Sequence, residues 1–175
     1  MFSKILCPTD GSDHAARALE LAIDMAGKYG AKLVILHVPL DNADPQTLKQ
    51  FAEVEGLTHK VDEEIERLRL LEMRIFPPTE MAIVESAISP RLLLEISEYV
   101  IAGARQKAER AGLQAVEAHI ENGDPAERIL HCIDSEGIDC VVMGSRGLSD
   151  LKGLFLGSVS HKVANRAPCP CISVK

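Results

Sequence analysis

Apolar positions along this chain follow two rhythms that alternate from the first residues onward. Ser3–Cys7 is a short β-rich run, closed by Pro8. TDGSD follows as a turn signal, with Ser12 placed to cap a helix and Asp13 in its first turn. Ala15, Ala18, Leu19, Ala22, Ile23 and Ala26 then recur every three or four residues, which predicts a helix from Ala15 to Tyr29 that Gly30 stops. Leu33–Val38 is a continuous apolar run between Gly30 and Pro39. A strand covered on both faces shows continuous rather than alternating hydrophobicity, so the opening reads strand, helix, strand.

The middle carries a different pattern. Leu48, Phe51, Val54, Leu57, Val61, Ile65, Leu68 and Leu71 recur at helical spacing and predict a long amphipathic helix over Gln46–Arg74, broken by Pro77-Pro78. A second apolar patch, Met81–Ile88, comes next. Ser89-Pro90 reads as an N-cap with proline at the first helical position of a helix over Arg91–Ala111, ended by Gly112. The regular rhythm then resumes. Gln114–Ile120 predicts a strand. Asn122-Gly123-Asp124-Pro125 is a turn that caps a helix over Ala126–Glu136, and Cys140–Met143 is another buried strand. A glycine-rich loop begins at Gly144. A helix starts near Gly157-Ser158 and ends before Pro168, and Cys171–Val174 is a last short strand.

Strands alternating with helices imply an α/β fold, an open five-stranded parallel sheet with helices on both faces. The expected organisation is one domain over 1–175 with a helical insertion at about 41–90 between the second and third strands. A chain of 175 residues suits that, since about 100–200 residues per domain is usual. Ligands of such sheets sit beyond the carboxyl ends of the strands, where the strand order reverses. Two turn-rich loops follow strand ends here, Pro8–Ser12 (PTDGS) and Gly144–Gly147 (GSRG).

Composition changes the picture in three places. Hydrophobic residues make up 46% and aromatic ones 3%, so the core is built from aliphatic side chains. The formal net charge of −7, with no run of Lys or Arg, disfavours a nucleic-acid partner. Small anions are still accessible to backbone amides whatever the global charge. Five scattered cysteines are not a disulfide framework. The N-terminal segment lacks a signal-peptide pattern, and no stretch approaches the roughly 18 apolar residues of a membrane span. The expectation is a cytoplasmic protein with no membrane span.

The main chemical signal is Gly144-x-x-Gly147, nine residues, then Gly157-Ser158. Gly144 and Gly147 allow close backbone approach to a ligand. Gly157 and Ser158 open a helix whose free N–H groups form an anion site, and Ser158 and Ser160 add hydroxyl donors. Glycines in a surface loop followed by a serine cap would give the same spacing without a ligand. The spacing is neither the G-x-G-x-x-G dinucleotide fingerprint nor a Walker loop, because no G-K-[ST] occurs.

ILCPTDGS, NGDPAERIL and VVMGSRGLSDLKGLFLGSVSHKVANRAPCPCISV together closely resemble universal stress proteins of the ATP-binding branch. The resemblance covers Met1–Val38 and Leu113–Lys175. It implies a central first strand beside the fourth, with ATP over their ends and Mg²⁺ or Mn²⁺ on the phosphates. Asp10 matches the acidic residue that reads adenine, with Pro8 and Thr9 at the same end. The backbone of Val38 matches a further adenine contact. Met143, Gly144, Arg146 and Gly147 match the ribose and phosphate segment, and Gly157, Ser158, Val159 and Ser160 the phosphate turn. The resemblance further implies a homodimer through Cys171–Val174. The alternative for Asp10 is a helix-capping carboxylate, and the two roles can coexist.

Other residues carry weaker signals. Cys169-Pro170-Cys171 reads as structural thiols, since no partner C-x-x-C exists, and the six histidines show no metal spacing. Lys152 and Lys162 are candidates to neutralise phosphate. Two functions fit: an ATP-dependent stress sensor or regulator with slow or no hydrolysis, and a dimeric protein-interaction module of the same fold with no functional nucleotide site, which recruits a protein partner through the middle helices.

Overall fold

The structure, a computed structural model, describes residues 1–39, 90–147 and 157–175. Its strands are β1 (Lys4–Thr9), β2 (Lys32–His37), β3 (Val116–Ile120), β4 (Cys140–Gly144) and β5 (Cys171–Val174). Its helices are α1 (Asp13–Tyr29), α2 (Pro90–Arg110), α3 (Pro125–Glu136) and α4 (Ser158–Arg166). All strand pairs are parallel, in the order β3-β2-β1-β4-β5. The expected fold class is therefore the observed one. The helices expected over Gln46–Arg74 and the patch Met81–Ile88 lie outside the described residues.

Local chemistry explains the element boundaries. The Ser12 side chain accepts from the Ala15 amide and caps α1, and Asp124 does the same for α3 from the Glu127 amide, with Pro125 in the first turn. Each such cap is worth about 1 kcal/mol. Gly30 and Gly137 close the two helices.

Side-chain parity sorts the core into two layers. Ile5, Cys7, Leu33, Ile35, Cys140 and Val142 face α1 and α2, packing on Ala18, Ala22, Ala104 and Ala108. Leu6, Val34, Leu36, Val141 and Met143 face α3 and α4, packing on Ile129, Ile133 and Val163. Alanines on α1 and α2 bring those helices close to the sheet. Each full burial of a Leu, Ile or Val side chain contributes about 1.5–3 kcal/mol. The chain steps outward from β1 through β2 to β3 along one face, then crosses back to β4 and β5 along the other. A constant right hand for parallel crossovers requires that change of face. The strand order thus reverses between β1 and β4, and a crevice opens there.

One boundary differs from expectation. Pro8 does not end the first strand; β1 continues to Thr9, with Pro8 opposite Leu36 and Thr9 opposite His37. Proline lacks an N–H and is costly inside a sheet. Ser3 bonds toward β2 and Lys4 toward β4, so alternation turns Pro8 toward β4. The β1–β4 register runs through Ile5↔Cys140 and Leu6↔Val141 and stops before Pro8. Proline therefore sits where the two strands separate and no ladder bond is lost.

Candidate functional site at the carboxyl edge of the sheet

Three segments meet at the β1–β4 crevice: the turn after β1, the loop after β4, and the start of α4. The turn is tied by its own side chains. Asp10 Oδ1 accepts the Ser12 amide at 3.0 Å and Thr9 Oγ1 accepts the Gly11 amide at 3.4 Å. Gly11 has φ of 82°, a left-handed conformation that glycine takes without steric cost. Asp10 thus has the local role in the turn, while Ser12 is the helix cap itself.

The loop after β4 comes directly against this turn. A Cβ added at Gly147 would collide with Asp10 Oδ2. A Cβ at Gly144 would lie 2.9 Å from the Ala15 amide nitrogen and 3.0 Å from the His14 carbonyl carbon. The first glycine therefore lets α1 pack on the end of β4, and the second makes room for the Asp10 carboxylate itself. At Gly157 the nearest atoms to an added Cβ are the Ser145 carbonyl oxygen at 3.3 Å and Arg146 Cα at 3.4 Å.

Ser145 is the junction of the site, and sequence reasoning passed over it. It is buried. Its amide donates to the Val174 carbonyl at 2.7 Å, and its carbonyl accepts the Gly157 amide at 2.7 Å and the Ser160 hydroxyl at 2.8 Å. Its hydroxyl lies 3.1 Å from His14 Nδ1. These bonds join the ends of β4 and β5 to α1 and to the start of α4. No pattern signal marks Ser145, because every partner is remote in sequence.

Ser160 differs from expectation for the same reason. It was expected to offer its hydroxyl to a ligand, but that hydroxyl is buried and engaged by the Ser145 and Gly157 carbonyls. The Gly157 amide is likewise engaged. What α4 does present is its first turn. Gly157 is its N-cap, with no side-chain cap bond. Helix geometry leaves the amides of Ser158, Val159 and Ser160 without acceptors inside the helix. Among the described residues no side chain caps them, and free amides at the positive end of a helix dipole can hold an anion.

Lys162 also differs. Its ammonium pairs with Asp124 at 3.3 Å and Glu127 at 3.0 Å, and Arg166 joins Glu127 at 2.5 Å. The Arg166 and Lys162 cations hold the Glu127 carboxyl at about 2. Lys162 thus fastens α4 to α3 rather than supplying charge to the loop. Lys152 lies outside the described residues.

The remaining expected residues fall around the same crevice. Thr9 ends β1, Val38 follows the last residue of β2, and Met143 lies in β4 with its side chain in the α3–α4 layer. Arg146 lies in the loop between Ser145 and Gly147. His37, which no motif singled out, is buried with Nδ1 at 2.8 Å from the Thr9 carbonyl. Burial lowers its pKa, against opposition from the Thr9 bond and the Asp10 charge. The available signal was a lone polar residue inside the run LVILHV.

The thiols offer no chemistry here. Cys7, Cys132 and Cys140 are buried, and burial pushes Cys7 to about 12 and the other two to about 11. Burial also raises Cys169 and Cys171. Thiols so held are poor nucleophiles. No described helix is long and apolar enough to cross a membrane.

Fold and site together define a doubly wound α/β protein with a glycine-lined crevice at its switch point. The chain belongs to the universal stress protein family, whose model matches residues 1–175. It is 32% identical over 175 residues to universal stress protein YxiE of Bacillus subtilis, covering 100% of both chains. Among solved structures, universal stress protein UspA from Lactobacillus plantarum superposes with a TM-score of 0.66 at 21% identity, over 99% of this chain and 98% of that one. A universal stress protein in complex with cAMP gives 0.60 at 22%, over 99% and 97%. An Arabidopsis thaliana family protein with AMP bound gives 0.58 at 18%, over 99% and 91%. At these identities the structures speak to the fold.

Proposed function

We propose that this protein binds ATP in the β1–β4 crevice and acts as a nucleotide-dependent sensor or regulator in the stress response. The observation that carries the reading is the meeting of Asp10, Gly147 and the uncapped start of α4 in one place. A carboxylate accepts hydrogen bonds and suits the exocyclic amine of adenine. Bare amides on a helix start suit phosphate. The glycine between them lets the loop after β4 close on the carboxylate, where any larger side chain would displace it. The fold relatives that hold cAMP and AMP support an adenine nucleotide as the ligand class.

The residues fit the ligand in defined parts. Pro8, Thr9, Asp10 and the Val38 backbone would form the base end. Met143, Gly144, Arg146 and Gly147 would flank the ribose and inner phosphates. Gly157, Ser158, Val159 and Ser160 would form the phosphate turn, with Ser160 acting through the shape of the loop. No group of three His, Cys, Asp or Glu side chains among the described residues gathers to hold a metal. A Mg²⁺ or Mn²⁺ ion would bridge phosphate oxygens of the bound nucleotide. No motif places a general base, so hydrolysis would be slow or absent. β5 is an edge strand and offers its free side to the same strand of a second copy, giving a homodimer through Cys171–Val174.

Calorimetric titration of nucleotide-stripped protein with ATP tests this reading. Wild type should bind. Gly147→Val and Gly157→Val should each weaken binding by about a hundredfold, the scale of a clash worth about 3 kcal/mol. Unchanged affinity in both variants removes ATP from the crevice.

A further inference from the structure

The bond between His37 and Thr9 bears on how the crevice holds the base, and this inference rests on the ATP reading above. His37 and Thr9 are register partners at the last position of the β1–β2 ladder. Both are buried, His37 at 6% and Thr9 at 8% exposure. The imidazole Nδ1 lies 2.8 Å from the Thr9 carbonyl oxygen. A carbonyl only accepts, so Nδ1 carries the hydrogen, which defines the tautomer.

The Thr9 carbonyl belongs to the peptide plane that contains the Asp10 nitrogen and Cα. Holding that oxygen sets the rotation of the plane, and with it the direction in which Asp10 leaves the strand. The following residues are tightly coupled to it. Gly11 takes a left-handed turn, and Asp10 Oδ1 binds the Ser12 amide. Asp10 Oδ2 meanwhile sits against Gly147. A small rotation of the Thr9–Asp10 peptide would therefore move the carboxylate relative to the loop after β4.

We infer that His37 is a positioning residue for the nucleotide site, holding the Thr9–Asp10 peptide so that the Asp10 carboxylate faces the adenine amine. It acts on the base end alone. The start of α4, which would meet the phosphates, is held separately through Ser145 and Ser160.

Two substitutions of similar polarity separate this role from general support of the fold. The side-chain amide of asparagine can place its nitrogen where the imidazole Nδ1 lies, whereas that of glutamine reaches the Nε2 position. His37→Gln should therefore weaken ATP binding by about tenfold, the scale of one misplaced hydrogen bond, while His37→Asn stays within about threefold of wild type. Inorganic tripolyphosphate, which has no base, should bind both variants as it binds wild type. Equal ATP affinity in the two variants overturns the inference while leaving the ATP reading intact. A parallel loss of ATP and tripolyphosphate in His37→Gln also overturns it, because the effect would then not be confined to the base end. Wild-type protein that binds no adenine nucleotide overturns the ATP reading and this inference with it.

Discussion

The two ends of the sheet handle polar groups in opposite ways. At the amino end they gather at the surface. Asp139 accepts the Ser3 amide at 2.7 Å and the Ser3 hydroxyl at 2.6 Å, and Lys4 Nζ reaches the Glu136 carbonyl at 2.6 Å. At the carboxyl end they are buried. Of the buried polar side chains among the described residues, Thr9, Ser12, His37, Ser145 and Ser160 all lie there; Ser97, on α2, bonds back to the Leu93 carbonyl. Burying polar groups is costly unless each finds a partner. A protein that needed only to be folded could finish both ends with solvated ion pairs. The asymmetry marks the carboxyl end as the place where backbone and hydroxyl groups are held in fixed directions.

The comparison can be broken first in the middle of the sheet, which serves both ends. Leu33 is fully buried, and Leu33→Ala should destabilise the protein by about 2–5 kcal/mol. Urea unfolding would measure this. ATP affinity of the folded protein should be unchanged, and a large loss of affinity would show that the crevice depends on the core as a whole. The cap on α3 gives a smaller effect. Asp124 accepts the Glu127 amide at 2.9 Å and also pairs with Lys162. Asp124→Ala should cost about 1 kcal/mol in the same measurement. Because Lys162 keeps Glu127 as a partner, α4 should stay in place and ATP affinity should hold.

Acid titration of stability should separate the two ends with the smallest effects of all. Burial leaves His37 neutral in the fold with its pKa below 6.5, although the Thr9 bond and Asp10 oppose the shift. The unfolded chain therefore takes a proton that the folded one refuses. Stability should fall as pH drops below about 6.5 and level off below the folded pKa. Asp139 behaves differently. Burial alone would raise its pKa, but the Ser3 hydroxyl and the Ser3 and Lys4 amides outweigh it and hold the group below 3.8. Its contribution is present above that pH and is lost as pH falls through the folded pKa. Thermal melts across pH should show both steps. His37→Asn should flatten the first and Asp139→Asn the second. A single shared step that neither substitution alters would mean the two ends are not separately titrated.

The sequence was most informative where one residue type satisfies a local rule. Ser12 as a cap, the Asn122–Pro125 turn as another, Gly30 as a stop, and the continuous run Leu33–Val38 were all legible, and the structure has them in those roles. Parallel order followed from alternation of strands and helices. Pro8 was misplaced by one local rule, that proline ends a strand, because the exception depends on where β4 turns away. The glycine spacing and the family resemblance marked the crevice, but they could not divide labour within it.

What the chain alone determined is therefore the set of elements, their caps and the residues able to line a crevice, since these rest on interactions within a few residues of one another. Tertiary structure decided which polar groups are engaged. Ser160 and the Gly157 amide are taken by the Ser145 carbonyl, Lys162 by Asp124 and Glu127, and the Thr9 carbonyl by His37. Each of those bonds joins segments 12 to 38 residues apart. A hydrogen bond depends on direction and distance at the scale of an ångström, and only the packed sheet and its helices set those.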